Sequence, residues 1–431
     1  MSQGALSQRV HIFYCKVEKV DPPKKTMDSG VNFSQDADLF TKQEQALEVR
    51  KPKLVRFVMT GRERFIEVME YGEFDRGPNY ELGVWPQTAQ RWADEGLPPG
   101  TLTYNWFVSE PYLGIDRREY TPVNFGMIPP FEVQVLERTD RYEIIRHANG
   151  IVTKALIEGS VDGGRMCMDQ YISFPVANRD DFRKLKARYV AAIDERYPVG
   201  WRENLAPGWR NRDYVLVLGH NCSACGFYWR AREWMGTENL SYAWYDQPDL
   251  MHEMMEFYAD FTIECAKPIL EETDVEYFNL NEDFAMKTGP LLSPDTFRKF
   301  IYPHLKRLVE FFKAHGTRYV ALDSDGNPEP LIPLLMDAGV DILWPLERAS
   351  DMDPLKIRRK FGKSLRLMGG VDKREIAKGP AAINKHLAEL RSLVEDGGYI
   401  PTVDHTVPPN VSWDNFRYYM DAKRKLLAGE T

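Results

Sequence analysis

The chain has 431 residues, of which 43% are hydrophobic and 28% are charged, so it is long enough to bury a large core. Its 56 basic and 64 acidic residues give a net charge of −8 without a block of lysines and arginines, which argues against a nucleic-acid partner. No apolar run reaches about 18 residues, which argues against a membrane-spanning helix. Five cysteines and the absence of a secretion signal predict a reduced, cytoplasmic protein.

The chain divides by composition into an extension and one main domain. Residues 1–54 are mostly polar and are predicted to form an N-terminal extension, a candidate segment for homodimer formation. The main domain is predicted over 55–431 and begins with a helix that carries apolar residues at Phe65 and Val68. Between about 100 and 176, apolar and polar residues alternate around the turn signal Asn149-Gly150, which predicts a β-rich insertion.

A regular alternation of strand and helix patterns begins at residue 213. Short apolar runs that end in polar or glycine residues are separated there by amphipathic stretches. The runs are DYVLVLGHN, VEYFNLNED, RYVALDSDGN, DILWPLE, LRLMGGVD and GGYIPTVDH. Such apolar strands, alternating with helices, indicate a parallel sheet buried on both faces. The sequence therefore predicts an α/β protein with a (β/α)8 TIM barrel, and a doubly wound sheet is the alternative fold.

Groups able to bind a metal or move a proton end almost every predicted strand. In a parallel barrel the carboxyl ends of the strands meet at one rim, where catalytic residues lie. A single aspartate there is more simply explained as the N-cap of the next helix. Several carboxylates on one rim repel one another, and a bound cation offsets that repulsion most directly. The predicted catalytic residues at these ends are Glu282, Glu347 and Lys373.

The string DSDGN and the late histidine predict a metal site. Asp323 and Asp325 are two residues apart, so on a strand they share one face, and His405 follows the last predicted strand. Two carboxylates and one imidazole leave positions open for water or substrate, which is typical of a catalytic metal. Zn²⁺ fits this set, and another divalent metal is the alternative. Glu282 is a candidate fourth ligand or proton donor, and Glu347 and Lys373 are candidate acids or supporting groups.

A substrate pocket is predicted beside the metal site. The string HNCSAC contains a single CxxC pair, which is better interpreted as a pocket wall than as a zinc or redox site. Aromatic residues near strand ends are candidates to hold a flat substrate, although packing in the core explains each ring more simply. Trp106 and Trp229 are two such rings. The predicted substrate-binding residues are Trp85, His220, Cys222, Phe227, Tyr228 and Asn327.

From about residue 55 onward, the chain resembles the uroporphyrinogen decarboxylase superfamily. The segments that carry the resemblance are MTGRERFIEVMEYGEFDRGP, SPDTFRKFIYPHLKRL, LMGGVD and GGYIPTVDHTVPP, in that order. The stretch DRGPNYELGVWPQ lacks the arginine-rich pattern of the true decarboxylases, so the resemblance favours the corrinoid-dependent methyltransferases of the superfamily. Those enzymes bind zinc through His-x-Cys followed by Gly and through a later Cys. The resemblance implies that Asp323, Asp325 and His405 occupy these ligand positions.

The changed ligand types bear on the substrate that the resemblance implies. Oxygen ligands in place of sulfur make a harder Lewis acid, which is better matched to an oxygen atom. The resemblance therefore implies O-demethylation of a small methoxylated compound, with methyl aryl ethers as the natural candidates. The methyl acceptor would be the cobalamin of a partner corrinoid protein, because the chain has no Asp-x-His-x-x-Gly string of its own. A metal-dependent hydrolase, a decarboxylase or lyase, and a non-catalytic binding module are the alternatives.

Overall fold

The computed structural model describes residues 58–102, 107–158, 160, 165, 168–219 and 226–430. The strands are β1 (Arg118–Tyr120), β2 (Gln134–Arg138), β3 (Tyr142–Arg146), β4 (Val152–Leu156), β5 (Gln170–Ser173), β6 (Val215–Leu218), β7 (Tyr277–Asn281), β8 (Ala285–Met286), β9 (Gly289–Pro290), β10 (Tyr319–Asp323), β11 (Ile342–Trp344), β12 (Arg366–Met368) and β13 (Tyr399–Ile400). The predicted extension over 1–54 lies outside the described residues.

The helices surround the strands. They are α1 (Gly61–Met69), α2 (Pro86–Asp94), α3 (Arg179–Lys186), α4 (Trp201–Asn204), α5 (Ala206–Arg210), α6 (Phe227–Met235), α7 (Thr237–Asp246), α8 (Pro248–Glu272), α9 (Pro294–Thr296), α10 (Tyr302–Ala314), α11 (Ile332–Asp337), α12 (Pro354–Phe361), α13 (Lys373–Ile376), α14 (Pro380–Asp396) and α15 (Trp413–Leu427). Within the described ranges, none of them combines the length and the apolar character that crossing a membrane requires.

Seven parallel strands form the main sheet, in the order β1-β6-β7-β10-β11-β12-β13. The extended segment 79–85 lies between the two edges of this sheet. On one side the amide of Asp116, next to β1, donates to the carbonyl of Asn79 at 2.9 Å. On the other side the amide of Val407 donates to the carbonyl of Gly83, also at 2.9 Å. The ring of strands is thereby completed, and the predicted α/β barrel is confirmed.

The barrel interior is apolar at the N-terminal end of the strands and polar at their C-terminal end. Residues two apart on a strand share a face, so Tyr277 and Asn281 of β7 face inward together, as do Tyr319 and Asp323 of β10. Tyr277 and Tyr319 belong to a buried cluster that includes Phe65 of α1. Helix α1 therefore covers the N-terminal end of the strands. The C-terminal end, where Asn281 and Asp323 pair in register, is left for polar groups.

A second sheet lies in the region predicted as a β-rich insertion. Strands β2, β3, β4 and β5 form an antiparallel sheet in that order. The predicted turn at Asn149-Gly150 joins β3 to β4, and Gly150 has φ of +83°, a conformation that favours glycine. The segment after β5 contacts the barrel, because the amide of Val176 donates to the carbonyl of Trp234 in α6.

Candidate functional site

Three aspartates meet at the C-terminal ends of β7 and β10. Asp283, Asp323 and Asp325 each offer a carboxylate oxygen, and these oxygens lie within 4.8 Å of one another. The amide of Asp325 donates to Oδ1 of Asp283 at 2.9 Å, which joins the loop after β10 to the loop after β7. The fold thus brings the two predicted carboxylate ligands, Asp323 and Asp325, together and adds Asp283 to them. We call these three residues the aspartate cluster.

His405 lies beside the aspartate cluster and contacts one of its members. Its Nε2 is 3.2 Å from Oδ2 of Asp325, and its Nδ1 is hydrogen-bonded to the hydroxyl of Thr406 at 2.8 Å. Burial disfavours charge on both partners, but their mutual attraction lowers the pKa of Asp325 and raises the pKa of His405. His405 and Asp325 therefore form a close polar pair at the barrel mouth.

The aspartate cluster holds more acidic groups than burial allows to ionise together. Burial, followed by the charge of Asp325, raises the pKa of Asp283. Burial, followed by the charges of Asp283 and Asp325, raises the pKa of Asp323 well above its ordinary value. Close carboxylates in a buried site either share protons or neutralise a cation. The chemistry of the cluster therefore fits a divalent cation.

Glu347 and Lys373 lie on the neighbouring strand ends. The amide of Gly326 donates to Oε2 of Glu347 at 3.0 Å, and Nζ of Lys373 is 3.4 Å from Oε1 of the same residue. Lys373 also lies 3.4 Å from Oδ1 of Asp404, whose Oδ2 accepts from the amide of Arg348 at 3.0 Å. Burial, followed by the charge of Asp325, raises the pKa of the Glu347 carboxyl. The structure thus brings both predicted catalytic residues to the edge of the aspartate cluster.

The carboxylate of Glu282 is hydrogen-bonded to the start of helix α6. Its carboxylate accepts hydrogen bonds from the amides of Phe227 and Tyr228, at 2.9 and 2.8 Å, at the start of α6. A Cβ on Gly226 would lie only 2.1 Å from Cδ of Glu282, so the glycine makes room for this carboxylate. These contacts favour a capping role for Glu282 over the predicted role of ligand or proton donor, because both oxygens are committed to the helix.

The predicted substrate-binding residues are found in different environments. His220 and Cys222 lie outside the described residues, as does Trp106. Phe227 and Tyr228 are buried in the core, where Phe227 packs edge-on against Tyr258 with ring centres 6.0 Å apart. These two rings therefore pack against the protein itself. Trp229 is also buried, under the guanidinium of Arg232.

Trp85 and Asn327 are the remaining predicted substrate-binding residues. Trp85 is half-buried and precedes α2. The amide of Asn327 donates to the carbonyl of Met286 at 2.9 Å, and its side-chain oxygen accepts from the amide of Glu329 at 3.0 Å. Asn327 thus stabilises the turn after β10. Both residues are half-buried, but the side-chain oxygen of Asn327 is already used within the turn.

Besides Asp283, two further residues at the site were not among the predicted site residues. Asn281, the last residue of β7, donates from Nδ2 to Oδ2 of Asp323 at 3.0 Å. Arg232 of α6 donates to the carbonyl of Asp283 at 3.1 Å and brings a positive charge close to the cluster. The position of Asn281 at a strand end was visible in the sequence. Arg232 sits within a helix, and no pattern in the sequence connects it to β7.

Comparison with known proteins finds a family model that matches the part of the chain holding these residues. Residues 231–426 match the model of the family described as uroporphyrinogen decarboxylase (URO-D). No curated protein matches the chain. A methyltransferase from Methanosarcina mazei is among the similar solved structures, with a TM-score of 0.51 and 16% identity over 85% of this chain and 98% of that chain. At this identity the likeness concerns the fold alone. Residues 231–426, which match the uroporphyrinogen decarboxylase family model, carry the whole aspartate cluster.

Proposed function

We propose that the protein is a methyltransferase that removes the methyl group of a small methoxylated compound, with methyl aryl ethers as the favoured class. The methyl acceptor is the reduced corrinoid of a partner protein. The observation that carries the proposal is the all-carboxylate cluster of Asp283, Asp323 and Asp325 at the mouth of the barrel, the end at which barrel enzymes act. The URO-D family match and a similar fold in a protein named a methyltransferase support group transfer as its chemistry.

A divalent cation fits the residues at this mouth. Asp323 and Asp325 would hold it, with His405 in contact with Asp325 and with Asp283 within reach. When bound, such a cation supplies Lewis-acid stabilisation to an oxygen that leaves with negative charge. The raised pKa values of Asp283 and Asp323 support this fit, because a positive charge between them favours their ionised forms.

The reaction also needs a proton for the leaving oxygen. The C–O bond breaks with its electron pair passing to oxygen, the acceptor supplies the pair for the new bond to the methyl carbon, and the oxygen is then protonated. We assign that proton to Glu347, whose buried carboxyl has a raised pKa and lies next to the DSDGN turn. Lys373 positions this carboxyl through its contact with Oε1, and Asp404 holds Lys373 from the other side.

Methylation of cob(I)alamin by methoxylated aromatic compounds tests the proposal. The purified protein and free cob(I)alamin are incubated with each compound, the corrinoid spectrum is followed, and the demethylated product is identified by mass spectrometry. Asp325→Asn should reduce the rate at least about 100-fold, because it removes a charged ligand of the cation that would stabilise the leaving oxygen. Asp295→Asn on the exposed surface is the matched control and should not change it. Release of methanol without corrinoid would favour a hydrolase instead.

A further inference from the structure

We propose that the cation centre is an all-oxygen site formed by Asp283, Asp323, Asp325 and the amide oxygen of Asn281, and that His405 lies outside its coordination sphere. The inference deepens the proposed function and rests on it, because the proposed reaction is what gives the cation its role. It assigns two ligands, Asp283 and Asn281, that are not among the predicted metal ligands. The class of ligand is a hard divalent cation such as Mg²⁺ or Mn²⁺.

The geometry of the three carboxylates gives the first argument. Their oxygens approach one another within 4.8 Å, which one shared cation can bridge, whereas His405 is not part of this group and lies with Nε2 3.2 Å from Oδ2 of Asp325. Asp283 reaches this position because the chain turns immediately after β7, with Asp283 at φ of +41°. The guanidinium of Arg232 donates to the backbone carbonyl of Asp283, and the amide of Asp325 donates to its carboxylate.

Asn281 gives a second and independent argument. It is 6% exposed, and its Oδ1 has no hydrogen-bond partner among the described residues. Its Nδ2 donates to Oδ2 of Asp323, so the planar amide lies against the aspartate cluster. Nearly all buried polar atoms in proteins have a partner, and an amide oxygen is satisfied by a hydrogen-bond donor or by a hard cation. A cation beside Asp323 would give the Asn281 oxygen its missing partner.

The contacts of His405 explain why it stays outside the sphere. Nδ1 bonds the Thr406 hydroxyl, and Nε2 faces the carboxylate of Asp325 at 3.2 Å. An imidazole that donates from Nε2 to the carboxylate has no free lone pair at that nitrogen for a metal, and Nδ1 is engaged by the Thr406 hydroxyl. Carboxylates that bind a metal are in turn held by hydrogen bonds to neighbouring groups. His405 is therefore a positioning residue for Asp325.

Pulsed EPR of the full-length protein loaded with Mn²⁺ tests the ligand set directly. A coordinating imidazole would give strong nitrogen coupling to the Mn²⁺ electron spin, and we expect none from the wild-type protein. In titrations with Mn²⁺, Asp283→Asn should weaken binding at least about 100-fold, and His405→Gln by about tenfold, as is typical of a residue that supports a ligand. Asn281→Ala should weaken binding without changing the circular dichroism spectrum.

Three outcomes would overturn the inference. They are nitrogen coupling that disappears in His405→Gln, unchanged Mn²⁺ affinity in Asp283→Asn, and no binding of Mn²⁺ to a wild-type protein that is folded by circular dichroism. The first two leave the proposed methyl transfer untouched, because that reaction needs a cation but no particular ligand set. Conversely, a protein that binds Mn²⁺ as expected but methylates no corrinoid would refute the proposed function and not the ligand assignment.

Discussion

The buried ion pair between Lys423 and Glu81 can be used to test which contacts hold the two ends of the barrel together. Lys423 of α15 is 0% exposed and Glu81 of segment 79–85 is 1% exposed in their side chains. Nζ of Lys423 lies 2.6 Å from Oε1 of Glu81, which also accepts from the hydroxyl of Tyr419 at 2.6 Å. The other carboxylate oxygen accepts from the amide of Val403 at 2.8 Å. One carboxylate thus joins the first strand segment, the chain after β13, and the last helix.

Lys423→Met removes the ammonium group and leaves the Glu81 carboxylate buried without its counter-ion. Breaking a buried pair in this way costs about 3–5 kcal/mol, because the remaining charge has lost its water and its partner. The free energy of unfolding, measured by urea denaturation with circular dichroism, should fall by that amount. Adding Glu81→Gln should restore about 1–3 kcal/mol, because the neutral amide removes the stranded charge and still accepts the Val403 amide.

Lys425→Met is the matched control, because Lys425 is exposed on the same helix. It should change the free energy of unfolding by less than about 0.5 kcal/mol. A loss below about 1 kcal/mol in Lys423→Met, with an unchanged dependence on urea, would refute the view that this pair holds the barrel ends together.

Gly326→Ala should lower the free energy of unfolding by at least about 2 kcal/mol, since φ is +78° and the new Cβ would lie 2.6 Å from the carbonyl oxygen of Ala285. A decrease of less than about 1 °C in the melting temperature of this variant would contradict the expectation. Lys373→Met should raise the pKa of Glu347 and move the alkaline limb of the pH–rate profile to higher pH, because Glu347 must be protonated to act. Glu282→Gln should cost about 0.5–2 kcal/mol of stability as a lost cap, while Mn²⁺ affinity stays within about twofold. A loss of Mn²⁺ binding would restore Glu282 as a ligand.

The sequence alone determined the fold class and the end of the barrel that carries the site. Continuous apolar runs separated by amphipathic stretches are compatible with few architectures besides parallel strands under helices. The spacing of Asp323 and Asp325 placed both carboxylates on one face, and the rule that parallel strands end together brought them near Glu347, Lys373 and His405. These are local periodicities, so they can be recognised without knowledge of distant contacts.

The tertiary structure decided which neighbouring residue faces the cluster. Glu282 and Asp283 are consecutive and both acidic, and the sequence favours neither. The start of α6 lies against Glu282 and supplies two amides to it, while the turn at Asp283 directs the next carboxylate to the other two aspartates. The position of a residue along a strand determines the face to which its side chain points, but the group that this side chain contacts belongs to another part of the chain.

Long-range contacts also decided the environment of the aromatic residues and the closure of the barrel. Phe227, the first residue of α6, is equally suited by its sequence to a pocket wall or to the core, and the ring of Tyr258 in α8 places it in the core. Segment 79–85 closes the barrel through partners such as Val403, which follows Glu81 by 322 residues. No local pattern encodes such a pairing, because it depends on where the remaining strands have already placed the two ends of the sheet.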